Sequence, residues 1–161
     1  MPDLSSAFRD FYTCYDLLNK LCWGGTLPYC PLEFSKRMRR AWAVAYDGIY
    51  RIRFNSAMCS HTTDVHILMI MAHEMTYIWQ YCHGARGGHG KDFYAEMERI
   101  GIMGRTIMST REGSCFAYML FMYSLKNIKL AQAMQLINSS CFDKKFETKM
   151  FNQIMEEKLC P

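Results

Sequence analysis

Residues 73–93 read HEMTYIWQYCHGARGGHGKDF, and the way this stretch opens decides the fold. His73 is followed directly by Glu74, and one helical turn further on stands Tyr77. On a helix, positions i and i+4 share a face. Two histidines at that spacing can therefore grip one metal ion, with the carboxylate between them beside it. Only the first histidine of such a pair is present here. His89 follows in a Gly-His-Gly turn, where glycine frees the backbone to fold back on the helix. A bare His-Glu pair is common and, taken alone, reads as a polar spot near a helix end, so the surroundings carry the decision.

Those surroundings are ordered. From Thr63 to His83 the chain is apolar nearly all round, which predicts a buried helix ended by Gly84. A second helix is predicted from about Lys91 to Ile100. Upstream, Leu4, Phe8, Phe11, Tyr15, Leu18 and Cys22 recur at helical spacing, and Gly24 and Gly25 end that run. Leu27 to Phe34 reads as extended. AVAYDGIYRIRF (residues 43–54) reads as two strands joined at Asp47-Gly48, a tight-hairpin signal, with Tyr50, Ile52 and Phe54 on one face and Arg51 and Arg53 on the other. Residues 105–161 read as wholly helical, with a stripe of Phe142, Phe146, Met150 and Ile154. The expected class is α+β: a core with a small three-stranded sheet and a buried His-Glu helix, plus an added helical C-terminal region.

With 161 residues, 50% hydrophobic and 21% charged, the chain has a globular composition. Its longest apolar runs, 65–72 and 115–125, fall short of the about 20 residues a membrane helix needs. Asp3, Arg9, Asp10 and Asp16 near the start argue against a secretory signal, so a cytoplasmic protein is the expectation. The eight cysteines contain no C-x-x-C pair, and most read as buried small hydrophobes. A net charge of +4 permits nucleic-acid contact without demanding it.

From Phe8 to Gly104 the sequence resembles the SprT-like family of metallopeptidase domains. The matching residues occur in order: LPYCPLEFSKRMRR, AYDGIYRIRFN, HEMTYIWQ and GHGKDFYAEMERIGI. In that family the helix reads His-Glu-x-x-His with Trp-Gln after it, and Gly-His-Gly-x-x-Phe supplies a third ligand. The resemblance implies a zincin-like fold over residues 1–104 with a helical extension over 105–161. It implies a zinc site with His73 and His89 as ligands, Glu74 as general base and DNA-associated proteins as substrates. Trp79 and Gln80 set the register, so Tyr77 stands at the second ligand position. The family's frequent four-cysteine ribbon is missing.

Tyr77 leaves several readings. As a phenolate it ligates zinc, with the metal further from the helix because the side chain is longer. If it points away, two histidines remain and affinity falls by orders of magnitude. Cys82 and His83 do not replace it, since His83 lies nearly three turns, about 15 Å, along the axis from His73. The sequence places a weakened or absent site ahead of a working tyrosine-ligated one. His66 and His61 read as a packing and a loop residue, and Tyr94 as a packed aromatic. Lys36, Arg37, Arg39, Arg40, Arg51 and Arg53 form a candidate patch for non-specific DNA contact, which would extend the expected location to nucleoid or nucleus. CFAYMLFMYSL (residues 115–125) reads as core, or as a surface for a protein partner or self-association. The competing class is therefore an inactive binding module.

Overall fold

The computed structural model describes residues 3–159, and Cys160 lies outside the described residues. Helix α1 (Leu4–Trp23) starts where the Asp3 carboxylate accepts from Ser6 N at 2.7 Å. It ends at Gly24, whose φ of 61° is a left-handed cap. Its predicted apolar stripe is buried at Phe8, Phe11, Tyr15, Leu18 and Cys22. The chain then doubles back along the helix. Asn19 exchanges two hydrogen bonds with the Leu27 backbone, at 2.9 and 3.1 Å, and Tyr15 Oη donates to Pro28 O at 2.6 Å.

Strands β1 (Leu32–Ser35), β2 (Ala43–Tyr46) and β3 (Arg51–Asn55) form one sheet in the order β1-β3-β2. β1 runs parallel to β3 with Phe34 opposite Phe54, and β2 runs antiparallel to β3 with Ala43 opposite Phe54. β2 is therefore an edge. The hairpin is looser than expected: Tyr46 pairs with Arg51, so residues 47–50 all belong to the turn, and Tyr50 leaves the strand face it was assigned to. Gly48, at φ 84°, supplies the left-handed step. Ile52 and Phe54 are buried, while Arg51 and Arg53 occupy the opposite face.

After the short α2 (Ser56–Cys59), Thr63 caps α3 (Asp64–Cys82) by accepting from His66 N. α3 is buried along most of its length, as its sequence predicts. Helix α4 (Lys91–Ile100) ends at Gly101, φ 103°. The chain then departs from the helical expectation. β4 (Ile102–Met103) and β5 (Ser109–Thr110) pair antiparallel, and helix resumes only at α5 (Cys115–Ser124), followed by α6 (Leu130–Ser139) and α7 (Lys144–Leu159). The reason is local. At Gly104 (φ 90°) a Cβ would sit 2.1 Å from Ile107 O, so the reversal depends on glycine and excludes a helix there.

The C-terminal helices pack on α1. Phe8 is fully buried and meets Phe34, Phe142 and Phe146 edge-on, with centroids 4.9, 5.4 and 5.3 Å away. Phe142 precedes α7 rather than lying in it, while Met150 and Ile154 are buried as the stripe implies. In α5, Phe116, Met119 and Tyr123 face inward, but Tyr118 and Phe121, with Leu125 at the helix C-cap, are exposed. Asp64, in the first turn of α3, accepts from Tyr123 Oη at 2.7 Å and from Ala131 N at 2.8 Å, tying α3 to α5 and α6. Among the described residues no helix is long and apolar enough to cross a membrane.

A carboxylate pair joins α7 to the sheet. Burial raises the pKa of Glu33, but Lys144 at 2.7 Å and Arg53 at 2.9 Å outweigh it and hold the carboxyl below its ordinary value. Glu147 accepts from Phe34 N at 2.8 Å, and burial, aided by Glu33, pushes it up to about 7. The folded state thus holds a proton that the unfolded chain releases near 4.5. The stability this contributes is full below that value and is lost as pH rises through about 7. Glu147→Gln, which keeps an acceptor for Phe34 N, is expected to raise the melting temperature at pH above 8 and to leave it nearly unchanged below about pH 5. An equal shift at both pH values would refute the assignment.

Candidate metal centre

The site is assembled by α3, the turn after it and the start of α4. α3 presents His73, Glu74 and Tyr77, and its C-terminus turns through Gly84 at φ 77°. The buried Gln80 then anchors the returning chain: its Nε2 donates to Gly88 O at 3.2 Å, and its main-chain carbonyl accepts from Ala85 N at 3.0 Å. Gly87 (φ 81°) lies so close to Tyr81 that a Cβ would meet Cε1 at 2.7 Å. Held this way, the turn brings His89 back to the helix. His73 Nε2 and His89 Nε2 stand 3.1 Å apart, one ring nitrogen donating to the other.

Phe93, with no solvent exposure, is the floor beneath this cluster. Its ring lies 4.8 Å from His73, 4.8 Å from Tyr77 and 4.9 Å from His89. In the sequence, the signal for this role is the position of Phe93 three residues after Gly90, at the end of the Gly-His-Gly-x-x-Phe pattern. Tyr77 stacks on His89 at 5.5 Å and 29° and lies 5.3 Å from the His73 ring. Burial, with Glu74 adding to it, pushes the Tyr77 phenol up to about 12. Burial and the neighbouring His73 lower the pKa of His89. Glu74 is 5% exposed, with Oε1 3.2 Å from His73 Nδ1.

These side chains line one wall of a cleft of about 650 Å³. Opposite them lie Ala43, Val44 and Ala45 of edge strand β2, and the rim carries Arg86 and Arg105.

The donor set fits zinc in part. Two nitrogens of a tetrahedral zinc stand about 3.3 Å apart, close to the spacing of His73 and His89. Among the described residues no group of three His, Cys, Asp or Glu side chains is placed to hold a metal ion. Tyr77 is the side chain at the remaining position, its ring 5.3 Å from His73 and 5.5 Å from His89. Cys82 and His83 are exposed beyond the site, and His83 Nδ1 instead meets Trp79 O at 2.8 Å. His66 lines the far end of the cleft, with Nδ1 2.6 Å from Thr62 Oγ1. His61 lies in a turn, and Tyr94 packs beside His89 at 5.9 Å.

The six basic residues do not share one condition. Arg51 and Arg53 both face Glu33, at 3.7 and 2.9 Å, and Lys36 Nζ donates to Ser140 O at 3.0 Å. Arg37, Arg39 and Arg40 are exposed in the loop that Asn55 holds through Met38 O and Ala41 O.

A buried helix presenting His-Glu, a returning Gly-His-Gly turn and an edge strand lining the same cleft are the features of an α+β SprT-like fold. The chain belongs to the SprT-like family, whose family model matches residues 11–112, more than half of its length. No curated protein and no solved structure matches it.

Proposed function

We propose that the chain is a SprT-like zinc peptidase with an attenuated metal seat, acting on extended segments of DNA-associated proteins. The observation that carries this reading is the 3.1 Å approach of His73 Nε2 and His89 Nε2 beside the nearly buried Glu74, across a cleft from edge strand β2. His73 and His89 are the residues to hold zinc, with Tyr77 as the weak third. Bound there, zinc supplies Lewis-acid polarisation of a peptide carbonyl.

The chain's own residues do the rest. β2 takes an extended polypeptide by strand addition, which aligns a peptide bond with the His-Glu wall. Glu74 accepts the proton of the attacking water and returns it to the leaving amine. Phe93 excludes water from beneath the histidines and fixes their rings. Arg37, Arg39 and Arg40 offer a cationic surface for non-specific contact with DNA phosphates.

The test is cleavage of casein, an unfolded substrate, by the zinc-loaded chain. Glu74→Gln is expected to lower the rate by about 10²–10⁴, and a chelator to abolish it. A rate unmoved by both sinks the reading. A second reading, an inactive SprT-like binding module, is favoured by Tyr77 and by the exposed Tyr118 and Phe121 on α5 and Leu125 at its C-cap, which suit a protein partner or a second copy. It predicts no cleavage under any zinc loading.

A further inference from the structure

We propose that Arg86 and Arg105 form a carboxylate-binding subsite on the rim of the cleft, selecting extended polypeptides that carry an aspartate or glutamate side chain beside the segment laid along β2. This rests on the reading of the cleft as a polypeptide site.

Two guanidinium groups from different loops line the same cleft. The backbone that carries Arg86 is held on both sides: Ala85 N donates to Gln80 O, Gln80 Nε2 donates to Gly88 O, and Gly87 packs against Tyr81. Arg105 is fixed differently, its Cζ lying 4.3 Å from the centroid of Tyr94. Tyr94 in turn packs on His89, which places the second cation next to the metal ligands.

Among the described residues four other arginines have carboxylate partners, whereas Arg37, Arg39, Arg40 and Arg111 are exposed without one and lie outside the cleft. Arg9 pairs with Glu157, Arg51 and Arg53 with Glu33, and Arg99 with Glu96. Among the described residues Arg86 and Arg105 have no carboxylate within ion-pair distance. The one carboxylate lining the cleft is Glu74, nearly buried and turned to His73. An incoming anion thus meets two cations, one of them stacked on Tyr94, and no internal competitor. A guanidinium binds a planar carboxylate through paired hydrogen bonds, a geometry that a lysine would not select.

The occupant is a polypeptide rather than a polynucleotide. An edge strand forms one wall, Ile70 and Met108 add apolar surface, and only two cations line the cleft. Tracking a phosphate backbone requires a longer run of positive charge.

The test uses the full chain and two fluorescein-labelled decapeptides of alanine, serine and leucine, differing only in a central glutamate or glutamine. Binding is read by anisotropy at neutral pH with phenanthroline present, so that cleavage plays no part. The glutamate peptide is expected to bind about tenfold more tightly, the scale of a charge-assisted pair. Arg86→Ala/Arg105→Ala should erase that preference, and Lys145→Ala, on α7, should retain it. Unchanged far-ultraviolet circular dichroism confirms that the exposed arginines were removed without unfolding. Equal binding of the two peptides, binding of neither, or a preference that survives in the double variant overturns the subsite. So does displacement of the peptide by an oligothymidylate that needs the same two arginines. Failure to bind zinc or to cleave casein would count against the peptidase reading alone, because the preference is measured without metal.

Discussion

Replacing Tyr77 by histidine is expected to raise zinc affinity by about 100-fold or more, a scale that even the outer partners of metal ligands reach. Position 77 lies one turn along α3 from His73, on the face that meets His89. An imidazole there binds as the neutral ring, whereas a phenol must give up its proton, and the buried surroundings of Tyr77 oppose that loss. The longer tyrosine also overshoots the point where a ring nitrogen would stand. The new histidine would complete a three-nitrogen set with one open position, the arrangement of catalytic zinc. Competition against a chromophoric chelator measures the change. An affinity within about threefold of the unaltered chain would show that Tyr77 does not limit the site.

Phe8→Ala is expected to destabilise the fold by about 3–5 kcal/mol, the usual range for removing a fully buried ring. Phe8 lies just before the family-matched segment, yet it touches β1 through Phe34 and the α7 region through Phe142 and Phe146. Its loss opens a cavity between three elements that have no common means of closing it. Urea unfolding should show a lower midpoint with an unchanged slope. A loss below about 1 kcal/mol would mean that the C-terminal helices do not share a core with the sheet.

How much of this was legible follows from how local each signal is. α3 and α4 were readable because their stops are single residues, Thr63 capping one start and Gly84 and Gly101 terminating the ends. Asp47-Gly48 likewise announced a hairpin, although not that the turn would take in Tyr50. The β4–β5 pair was missed because two-residue strands carry no periodicity. The parallel pairing of β1 with β3 is set by partners distant in sequence. The same non-locality hid the fate of Arg51 and Arg53: their partner Glu33 comes from β1 and stands among them only once the sheet forms. In the site, Trp79-Gln80 gave the register, but that Gln80 holds the His89 turn through Gly88 O is visible only in three dimensions.

The most direct test of the central claim is a zinc titration of the unaltered chain, read as bound zinc per chain by elemental analysis after equilibrium dialysis. Saturation at about one zinc per chain, at weak affinity, is expected, with binding lost in His89→Ala. No binding at saturating zinc, or binding that persists without His89, would contradict it.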